Sequence, residues 1–465
     1  MKEVRNNRKD TGVENLGDLR QFLTELKKID DLILIQDEVS TKHEIAAVMK
    51  ENDGGPALLF ERVKDYQNSV VAGVCGTRER IYRALKTGRE NFYERLHSAI
   101  KAPIPPKVID DCPVKEVLEK PNLQKIPILT HYERDPGPYL TSAIVAANSP
   151  DGSIENISIH RMLVVDEQHL AIRVVGGRHL QRLYRMADTE GKPLDVAIAV
   201  GIHPAIMLAA ATPAPFGVSE YQIANVLLNG ELKLTRCEHV GVHVPADAEL
   251  VLEGRLYPKK EVPEGPFVDI TQTYDIVRDQ PIIEIIGVMR RRDYYYQALL
   301  PGGLEHRLLM GLPIEAKIFE AVQGVVPIKA VNLPPGGCNW FHAVISIDKQ
   351  YEGDGKNALL AAFAAHKSLK HAIVVDSDID VFDMEQVEWA IATRFRGEED
   401  LLIIERARGS SLDPASDQEL ELTTKVGVDA TRPFSKLLTK FEKAKPLHGK
   451  NVAKILRKIR ACREA

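Results

Sequence analysis

Residues 262–274 read VPEGPFVDITQTY and place two carboxylates, Glu264 and Asp269, on either side of a Gly-Pro-Phe turn. A rigid turn holds side chains in fixed positions. A positioned carboxyl group whose pKa is tuned by its neighbours can act as a general acid or base. Two ordinary surface carboxylates at a turn are the commoner source of this spacing, so the pattern alone leaves both interpretations open.

A second unusual run lies far upstream, ENISIHRM at residues 155–162, and carries Asn156, His160 and Arg161. If Arg161 contacts both carboxylates of the turn, its charge would lower the pKa of one of them. Burial beside an apolar ring would raise the pKa of the other. We therefore predict a site with a cationic clamp, an orienting carboxylate and a proton donor.

Length and composition narrow the class of protein. A chain of 465 residues exceeds one ordinary core and predicts two or three domains. The net charge of -5 argues against nucleic-acid binding. Five dispersed cysteines without a CxxC pair fit a reducing compartment and argue against structural zinc. Because we find no secretory signal and no apolar run of membrane-spanning length, we expect a cytoplasmic protein without membrane contact.

The predicted elements divide the chain into α/β, β and α/β parts. Residues 1–14 are polar and expected to be flexible. Helices and strands alternate over 15–110, which predicts an N-terminal α/β domain. Short β-rich runs over 115–302 predict a barrel or sandwich. A helix over 303–325, which Pro313 should start, kink or break, would connect to a C-terminal α/β domain at 326–465 with a basic tail.

The side chains of Asn156, His179 and Glu220 form a candidate metal-binding set. An amide oxygen, an imidazole and a carboxylate suit Mn²⁺ or Mg²⁺ better than structural zinc. Scattered trios of this kind are far more often structural, and Glu220 at a predicted helix start would also be a plain cap. The alternating aspartates of VVDSDID could likewise bind a metal, although a solvated strand edge is the commoner arrangement.

Six motifs, taken in order, resemble the UbiD family of decarboxylases, which use prenylated FMN. They are ENISIHRM, GGRHL, SEYQIANVLLNGE, EGPFVD, IVVDSDID and EWAIATRF, and the resemblance covers most of the chain. It implies an N-terminal α/β segment, a central split β-barrel related to flavin reductases and a connecting helix. It also implies a C-terminal α/β domain that forms a homo-oligomer, either a dimer or a hexamer.

The same resemblance implies roles for individual residues. Arg161, Glu264 and Asp269 match the catalytic network, although many members carry Glu at the last position. Arg161 would hold the substrate carboxylate, Glu264 would orient Arg161, and Asp269 would deliver the proton. The implied metal ligands of Mn²⁺, with K⁺ nearby, are Asn156, His179 and Glu220. The implied cofactor-binding residues are Asn156, Ile159, His160, Arg161, Arg178, His179 and Glu220, with weaker candidates at 210–213 and Lys370.

The expected reaction is a reversible, non-oxidative decarboxylation. Loss of CO₂ from an sp² carbon leaves a carbanion that acid–base groups cannot stabilise, so an electron-sink cofactor must carry the charge. The resemblance supplies prenylated FMN for this role, and a separate flavin prenyltransferase would be the partner that makes it.

The substrate is the most open part of the prediction. Many donors could face the pocket, namely Arg290–Arg292, Gln297, His306, Arg307, Lys329, Asn339 and His342. They favour a small polar aromatic or heteroaromatic acid, such as furan-2,5-dicarboxylate, unless several of them are surface or subunit contacts. The alternatives are a phosphorylated enoic acid of the anhydromevalonate phosphate type and a phenolic acid. Outside the family, a non-catalytic flavin-binding protein or a hydride-transferring flavoenzyme would share the fold.

Overall fold

The computed structural model of the protein describes residues 18–444, 446 and 451–463, so the N-terminal stretch 1–14 lies outside the described residues. The first part of the chain is a small α/β layer. Asp18 and Thr77 cap its first and third helices by accepting backbone N–H bonds from Arg20 and Arg80. Its elements are α1 (Leu19–Lys28), β1 (Leu32–Val39), α2 (Glu44–Glu51), β2 (Ala57–Val63), β3 (Val70–Ala72), α3 (Arg78–Ala84) and α4 (Phe92–Lys101).

The central part is dominated by strands. Its elements are β4 (Lys107–Val108), β5 (Val117–Glu119), β6 (Tyr139–Leu140), β7 (Ile144–Asn148), β8 (Glu155–Ile159), β9 (Met162–Val164), β10 (His169–Ile172), α5 (His179–Thr189), β11 (Leu194–Val200), α6 (Pro204–Ala211), α7 (Glu220–Leu227), β12 (Lys233–Arg236), β13 (His243–Pro245), β14 (Leu250–Glu264), β15 (Phe267–Val268), β16 (Tyr274–Asp275), β17 (Arg278–Arg290) and β18 (Tyr296–Ala298). The last of these, β18, pairs with β3 and completes the N-terminal sheet.

The large central sheet curls until its two ends approach each other. Its strand order is β6-β9-β10-β17-β14-β11-β7-β8, with β5 added on β17. β8 ends this order and β9 is the second strand from its other end, yet only His160 and Arg161 separate β8 from β9 in the chain. Two linking residues span about 10 Å at most. The sheet is therefore a curled half-barrel, and these two residues form the seam between its ends.

A long antiparallel ribbon of β14 and β17 carries the turn at residues 262–274 to the seam. The two strands pair along most of their length, and Glu264 at the end of β14 lies opposite Arg278. A bulge at Glu253/Gly254 bends the ribbon, and only glycine fits there because a Cβ at Gly254 would lie 2.7 Å from Ile283 Cγ2. Between the strands, β15 and β16 form a small hairpin that holds the turn.

The C-terminal part is a second α/β layer. The 20-residue helix α8 runs continuously through Pro313, which leaves the Leu309 carbonyl without its helical N–H donor. A five-stranded sheet follows in the order β19-β20-β21-β23-β22, with parallel pairs at its centre. The elements are α8 (Leu304–Gln323), β19 (Ile328–Asn332), β20 (His342–Ile347), α9 (Asp354–Ala365), β21 (His371–Asp376), α10 (Met384–Arg394), α11 (Gly397–Asp400), β22 (Leu401–Arg408), β23 (Leu422–Ala430) and α12 (Val452–Arg463).

The mixed α/β fold with a β-rich centre is thus confirmed. Apolar side chains of the curled sheet, such as Val196, Leu252 and Ile283, form its buried interior, and α6, α7 and α8 pack on its other face. In the part of the chain that the structure describes, no helix is both long and apolar enough to cross a membrane.

Candidate active site

The turn after β14 brings its carboxylates to the seam of the sheet. Glu264 is fully buried. Gly265 follows with φ of +99°, a backbone conformation that side chains other than glycine rarely adopt. The β15–β16 hairpin then places Asp269 in its loop and Asp275 at its end. Two strand ends and one loop therefore converge on the same point.

Arg161 lies at this point and contacts three carboxylates. Its Nε and Nη2 lie 2.9 and 3.0 Å from the two oxygens of Glu264, a bidentate pair. Nη1 lies 3.3 Å from Asp269 Oδ2, and Nη2 lies 3.3 Å from Asp275 Oδ2. The guanidinium also sits 4.5 Å from the centre of the Phe267 ring, in cation–π contact. The structure thus brings together all three residues of the predicted network and adds a further carboxylate.

The donors of Arg161 are almost fully used. A guanidinium carries five N–H groups. Glu264 and Asp275 accept from Nε and from both hydrogens of Nη2, and Asp269 accepts one from Nη1. The remaining N–H is on Nη1, the nitrogen that also donates to Asp269. A substrate carboxylate can therefore bind Arg161 next to Asp269 without displacing Glu264.

The three carboxylates differ in access and in their other partners. The side chain of Glu264 is 0% exposed, whereas that of Asp269 is 16% exposed. Burial pushes the pKa of Asp275 up, but the hydrogen bond from Arg278 (2.6 Å) and the charge of Arg161 outweigh it, so its pKa is lowered. Asp275 is thus held as an anion with its side chain 11% exposed, and Asp269 is the most exposed carboxyl group of the three.

Tyr139 supports the buried end of the network. Its hydroxyl donates to Glu264 Oε1 at 3.0 Å and accepts the Gly265 N–H at 3.1 Å. Its ring is fully buried and lies 4.8 Å from the Phe267 ring. Burial, and then the charge of Glu264, raise the pKa of Tyr139, so the hydroxyl remains a donor. Glu264 is consequently held from both sides.

His306 is the predicted substrate residue that lies beside this cluster. Its Nδ1 accepts the Gly302 N–H at 3.1 Å. Burial lowers the pKa of His306, Asp269 raises it, and Arg161 lowers it again, with a lowered pKa as the result. Because Nδ1 accepts, the proton of this neutral imidazole is on Nε2, which can donate a hydrogen bond to a bound acid next to Asp269.

The other predicted substrate residues are mostly engaged within the protein. Gln297 accepts the Ile202 N–H (3.2 Å), Arg307 donates to the Pro335 carbonyl (3.1 Å), and Asn339 donates to the Leu333 carbonyl (2.6 Å). Among the described residues, His342 Nε2 has no hydrogen-bond partner. Arg290, in the basic run 290–292, pairs with Glu119 at 2.7 Å. Lys329 is exposed.

The predicted metal ligands also meet. Both oxygens of the buried Glu220 lie within 3.0 Å of Asn156 Nδ2, and one accepts the Ile157 N–H at 2.9 Å. His179 Nδ1 lies 3.5 Å from Glu220 Oε1. A cation would require Asn156 to present its amide oxygen, which a rotation of the amide allows. Within the described residues, no group of three or more His, Cys, Asp and Glu side chains could hold a metal, and this trio includes an asparagine.

The predicted flavin-lining residues surround the seam and the start of α5. Burial lowers the pKa of His160 to about 4, so its ring is neutral; Nδ1–H then donates to the Arg173 carbonyl at 2.9 Å. Ile159 ends β8 next to it, and Arg178 is exposed just before His179. Lys370, the weaker candidate, pairs with Asp413 at 2.9 Å. Neutral, apolar and cationic groups side by side suit a flavin ring and its phosphate.

Sequence reasoning did not single out Tyr139 or Asp275. Asp275 directly follows the stretch at 262–274, so extending that stretch by one residue would have included it. Tyr139 carries no local signal. The aspartates of VVDSDID fit the structural alternative, because Arg394 binds Asp376 at 2.7 Å and Asp378 at 2.8 Å.

Family models match the chain in three consecutive parts. The N-terminal domain model of 3-octaprenyl-4-hydroxybenzoate carboxy-lyase (UbiD) matches residues 23–100. The Rift-related domain model matches residues 107–304, and the C-terminal domain model matches residues 307–430.

Individual proteins are similar over nearly the same length. Anhydromevalonate phosphate decarboxylase of Methanothermobacter thermautotrophicus is 45% identical, over 90% of this chain and 97% of that protein. The UbiD-class enzyme HmfF of Pelotomaculum thermopropionicum, in complex with FMN, superposes with a TM-score of 0.90 at 40% identity, over 94% of this chain and 98% of that one. Its evolved dimeric form, in complex with prFMN, gives 0.86 at 37% identity with the same coverage. This chain is therefore a member of the UbiD family of carboxy-lyases.

Proposed function

We propose that this protein decarboxylates a phosphorylated enoic acid of the anhydromevalonate phosphate type, with prenylated FMN as cofactor. The observation that carries the substrate class is the 45% identity to a decarboxylase of that name over 90% of the chain. The chemistry is supported by the cluster of Arg161 with Glu264 and Asp269. This favours one of the alternatives drawn from the sequence over the furan-type acid, which stays a prediction.

Arg161 binds and orients the substrate carboxylate. The N–H that remains on Nη1 would bind this carboxylate beside Asp269, whose Oδ2 lies 3.3 Å from Nη1. The bidentate bond to Glu264 fixes the plane of the guanidinium, and Tyr139 fixes Glu264 in turn. Such positioning lowers the entropy cost of reaching the reactive geometry.

Asp269 supplies the proton. The bond between the substrate carbon and its carboxylate breaks, CO₂ leaves, and a proton from the Asp269 carboxyl group replaces it on the same carbon. Water then returns a proton to Asp269, whose side chain is partly exposed, whereas Glu264 is sealed from solvent. In the overall reaction, one substrate carboxylate and one proton give CO₂ and a product with a new C–H bond. The reverse reaction is carboxylation.

Prenylated FMN, when bound, supplies the electron sink for this bond cleavage. Asn156, His179 and Glu220 would hold Mn²⁺ for the cofactor phosphate, with K⁺ as a further ion, and a flavin prenyltransferase would provide the cofactor. Ile159, His160 and Arg178 would line the flavin ring. The protein acts as a homo-oligomer. Membership in a family of carboxy-lyases favours this function over a non-catalytic flavin-binding protein and over a hydride-transferring flavoenzyme.

A substrate panel tests the proposal. Protein loaded with prenylated FMN is given anhydromevalonate phosphate, furan-2,5-dicarboxylate or a phenolic acid, and CO₂ release is measured for the wild type and for Arg161→Ala. We expect CO₂ from the phosphorylated acid and none with the variant. Release from only a furan or phenolic acid would overturn the substrate class, and no release from any acid would overturn the decarboxylase.

A further inference from the structure

Arg173 lies directly across from Arg161. The strands β9 and β10 pair with Ile172 opposite Met162, and the next residue, Arg173, donates its N–H to the Arg161 carbonyl at 3.1 Å. Residues directly opposite in an antiparallel pair project to the same face, with Cβ atoms about 5 Å apart. Two arginine side chains therefore start from neighbouring positions on the face opposite to the buried Ile172.

Arg161 is neutralised and Arg173 is not. Like charges directly opposite each other on a sheet destabilise it. Arg161 has three carboxylates around it. In the described part of the chain, the guanidinium of Arg173 has neither a carboxylate within ion-pair distance nor a side-chain hydrogen bond. Its other close cation, Arg278, is itself bound to Asp275 at 2.6 Å. Burial, and then the charges of Arg278 and Arg161, lower the pKa of Arg173 by more than the charges of Asp275 and Glu264 raise it.

The backbone of Arg173 is fixed on both sides. Its carbonyl accepts from His160 Nδ1 at 2.9 Å, and the N–H of the next residue, Val174, donates to Gln280 Oε1 at 2.9 Å. The half-buried side chain consequently starts from a set direction beside the active cluster. A half-buried cation beside a second arginine and without an ion-pair partner is unfavourable for the free protein. The presence of this cation is explained if an anion pairs with its guanidinium during function.

We propose that Arg173 binds the second anionic group of the substrate while Arg161 holds the carboxylate that is lost. Arg173 is thus a specificity-determining residue, and it takes no part in proton transfer. The identity of the second group rests on the proposed function: it is the phosphate of a phosphorylated enoic acid, and it would be the second carboxylate if a furan dicarboxylate were the substrate.

The test uses the enzyme loaded with prenylated FMN and the variants Arg173→Gln and Arg173→Lys. Arg185→Gln is the matched control, because Arg185 is exposed on α5. Steady-state constants are measured for anhydromevalonate phosphate and for its dephosphorylated analogue, with cofactor content read from absorbance. We expect Arg173→Gln to raise KM for the phosphorylated acid about 10- to 100-fold, the range of one charged hydrogen-bonded contact. The kcat, the KM for the dephosphorylated analogue and the cofactor content should stay near wild-type values. Arg173→Lys should recover part of the affinity for the phosphorylated acid.

Three results for Arg173→Gln would overturn the inference: an equal rise in KM for both acids, a loss of bound cofactor, or an unchanged KM for the phosphorylated acid. If the phosphorylated acid is not turned over, the proposed function fails, and the same comparison is made with furan-2,5-dicarboxylate against furan-2-carboxylate. Inorganic phosphate provides a check without any variant. It should inhibit the wild type competitively against the phosphorylated acid, and inhibition that is not competitive would contradict the site.

Discussion

Replacing Tyr139 with Phe removes one hydroxyl group from the buried end of the network. The ring stays in place against Phe267, so only the volume of one oxygen atom is lost. The change deletes the hydrogen bond to Glu264 Oε1 at 3.0 Å and leaves the Gly265 N–H, 3.1 Å from the hydroxyl, without its acceptor.

Each part of this loss has a known size. A hydrogen bond to a charged group contributes about 1.5–3 kcal/mol, and a buried N–H without an acceptor costs about 1–3 kcal/mol. We therefore expect Tyr139→Phe to lower the free energy of unfolding by about 3 kcal/mol or more. Because Glu264 is then held only by Arg161, kcat should fall about tenfold while KM changes little.

Urea unfolding measured at pH 7, together with steady-state kinetics, checks this expectation. Tyr132→Phe is the matched control, since its hydroxyl donates to the uncharged Pro301 carbonyl at 2.7 Å. That loss should be about 1 kcal/mol, without an effect on kcat. The reasoning is refuted if Tyr139→Phe unfolds within about 0.5 kcal/mol of the wild type, or if the two variants behave alike.

Three further predictions concern other buried charges. Burial raises the pKa of Glu305 from 4.5 to about 7, so the folded protein loses about 3 kcal/mol of stability through this group as pH rises from 4.5 to 7. Glu305→Gln should remove this dependence of the free energy of unfolding on pH, measured by urea unfolding across the same range. An unchanged pH dependence in the variant would refute the assignment. Arg78→Met leaves the fully buried Glu315, 2.7 Å from Arg78, without its cationic partner, and should lower the free energy of unfolding by about 3–5 kcal/mol in the same assay. A loss below about 1 kcal/mol would contradict this expectation. Glu220→Gln should weaken Mn²⁺-dependent FMN binding at least about tenfold in a fluorescence titration, and a chelator should weaken the wild type but not the variant; equal FMN affinity with and without Mn²⁺ would exclude the metal role.

Local patterns predict the elements of this fold better than their partners. The start of α3 is an example of a local pattern, because Thr77 caps it by accepting the N–H of Arg80, three positions away. The pairing of β18 with β3 joins residues that are far apart in the chain, and nothing in either strand specifies its partner. Pro313 shows the converse case: its local signal predicts a start, kink or break, yet packing on both sides keeps α8 continuous.

The candidate site divides in the same way. Arg161, Glu264 and Asp269 stand in motifs, and the structure places them in contact as the sequence suggested. Tyr139 reaches Glu264 only because β6 lies beside β9 at the seam, which no local spacing reveals. The expected substrate donors Gln297, Arg307 and Asn339 were chosen for polarity alone. In the folded chain their hydrogen bonds go to backbone groups, which a sequence cannot indicate.

The most direct test of the central claim is the rate of CO₂ release from anhydromevalonate phosphate by Asp269→Asn, compared with the wild type at equal prenylated FMN content. If Asp269 delivers the proton, the variant should retain cofactor and substrate binding, and its turnover should fall by about 100-fold or more. Turnover within about threefold of the wild type would show that Asp269 is not the proton donor and that the assigned network is wrong.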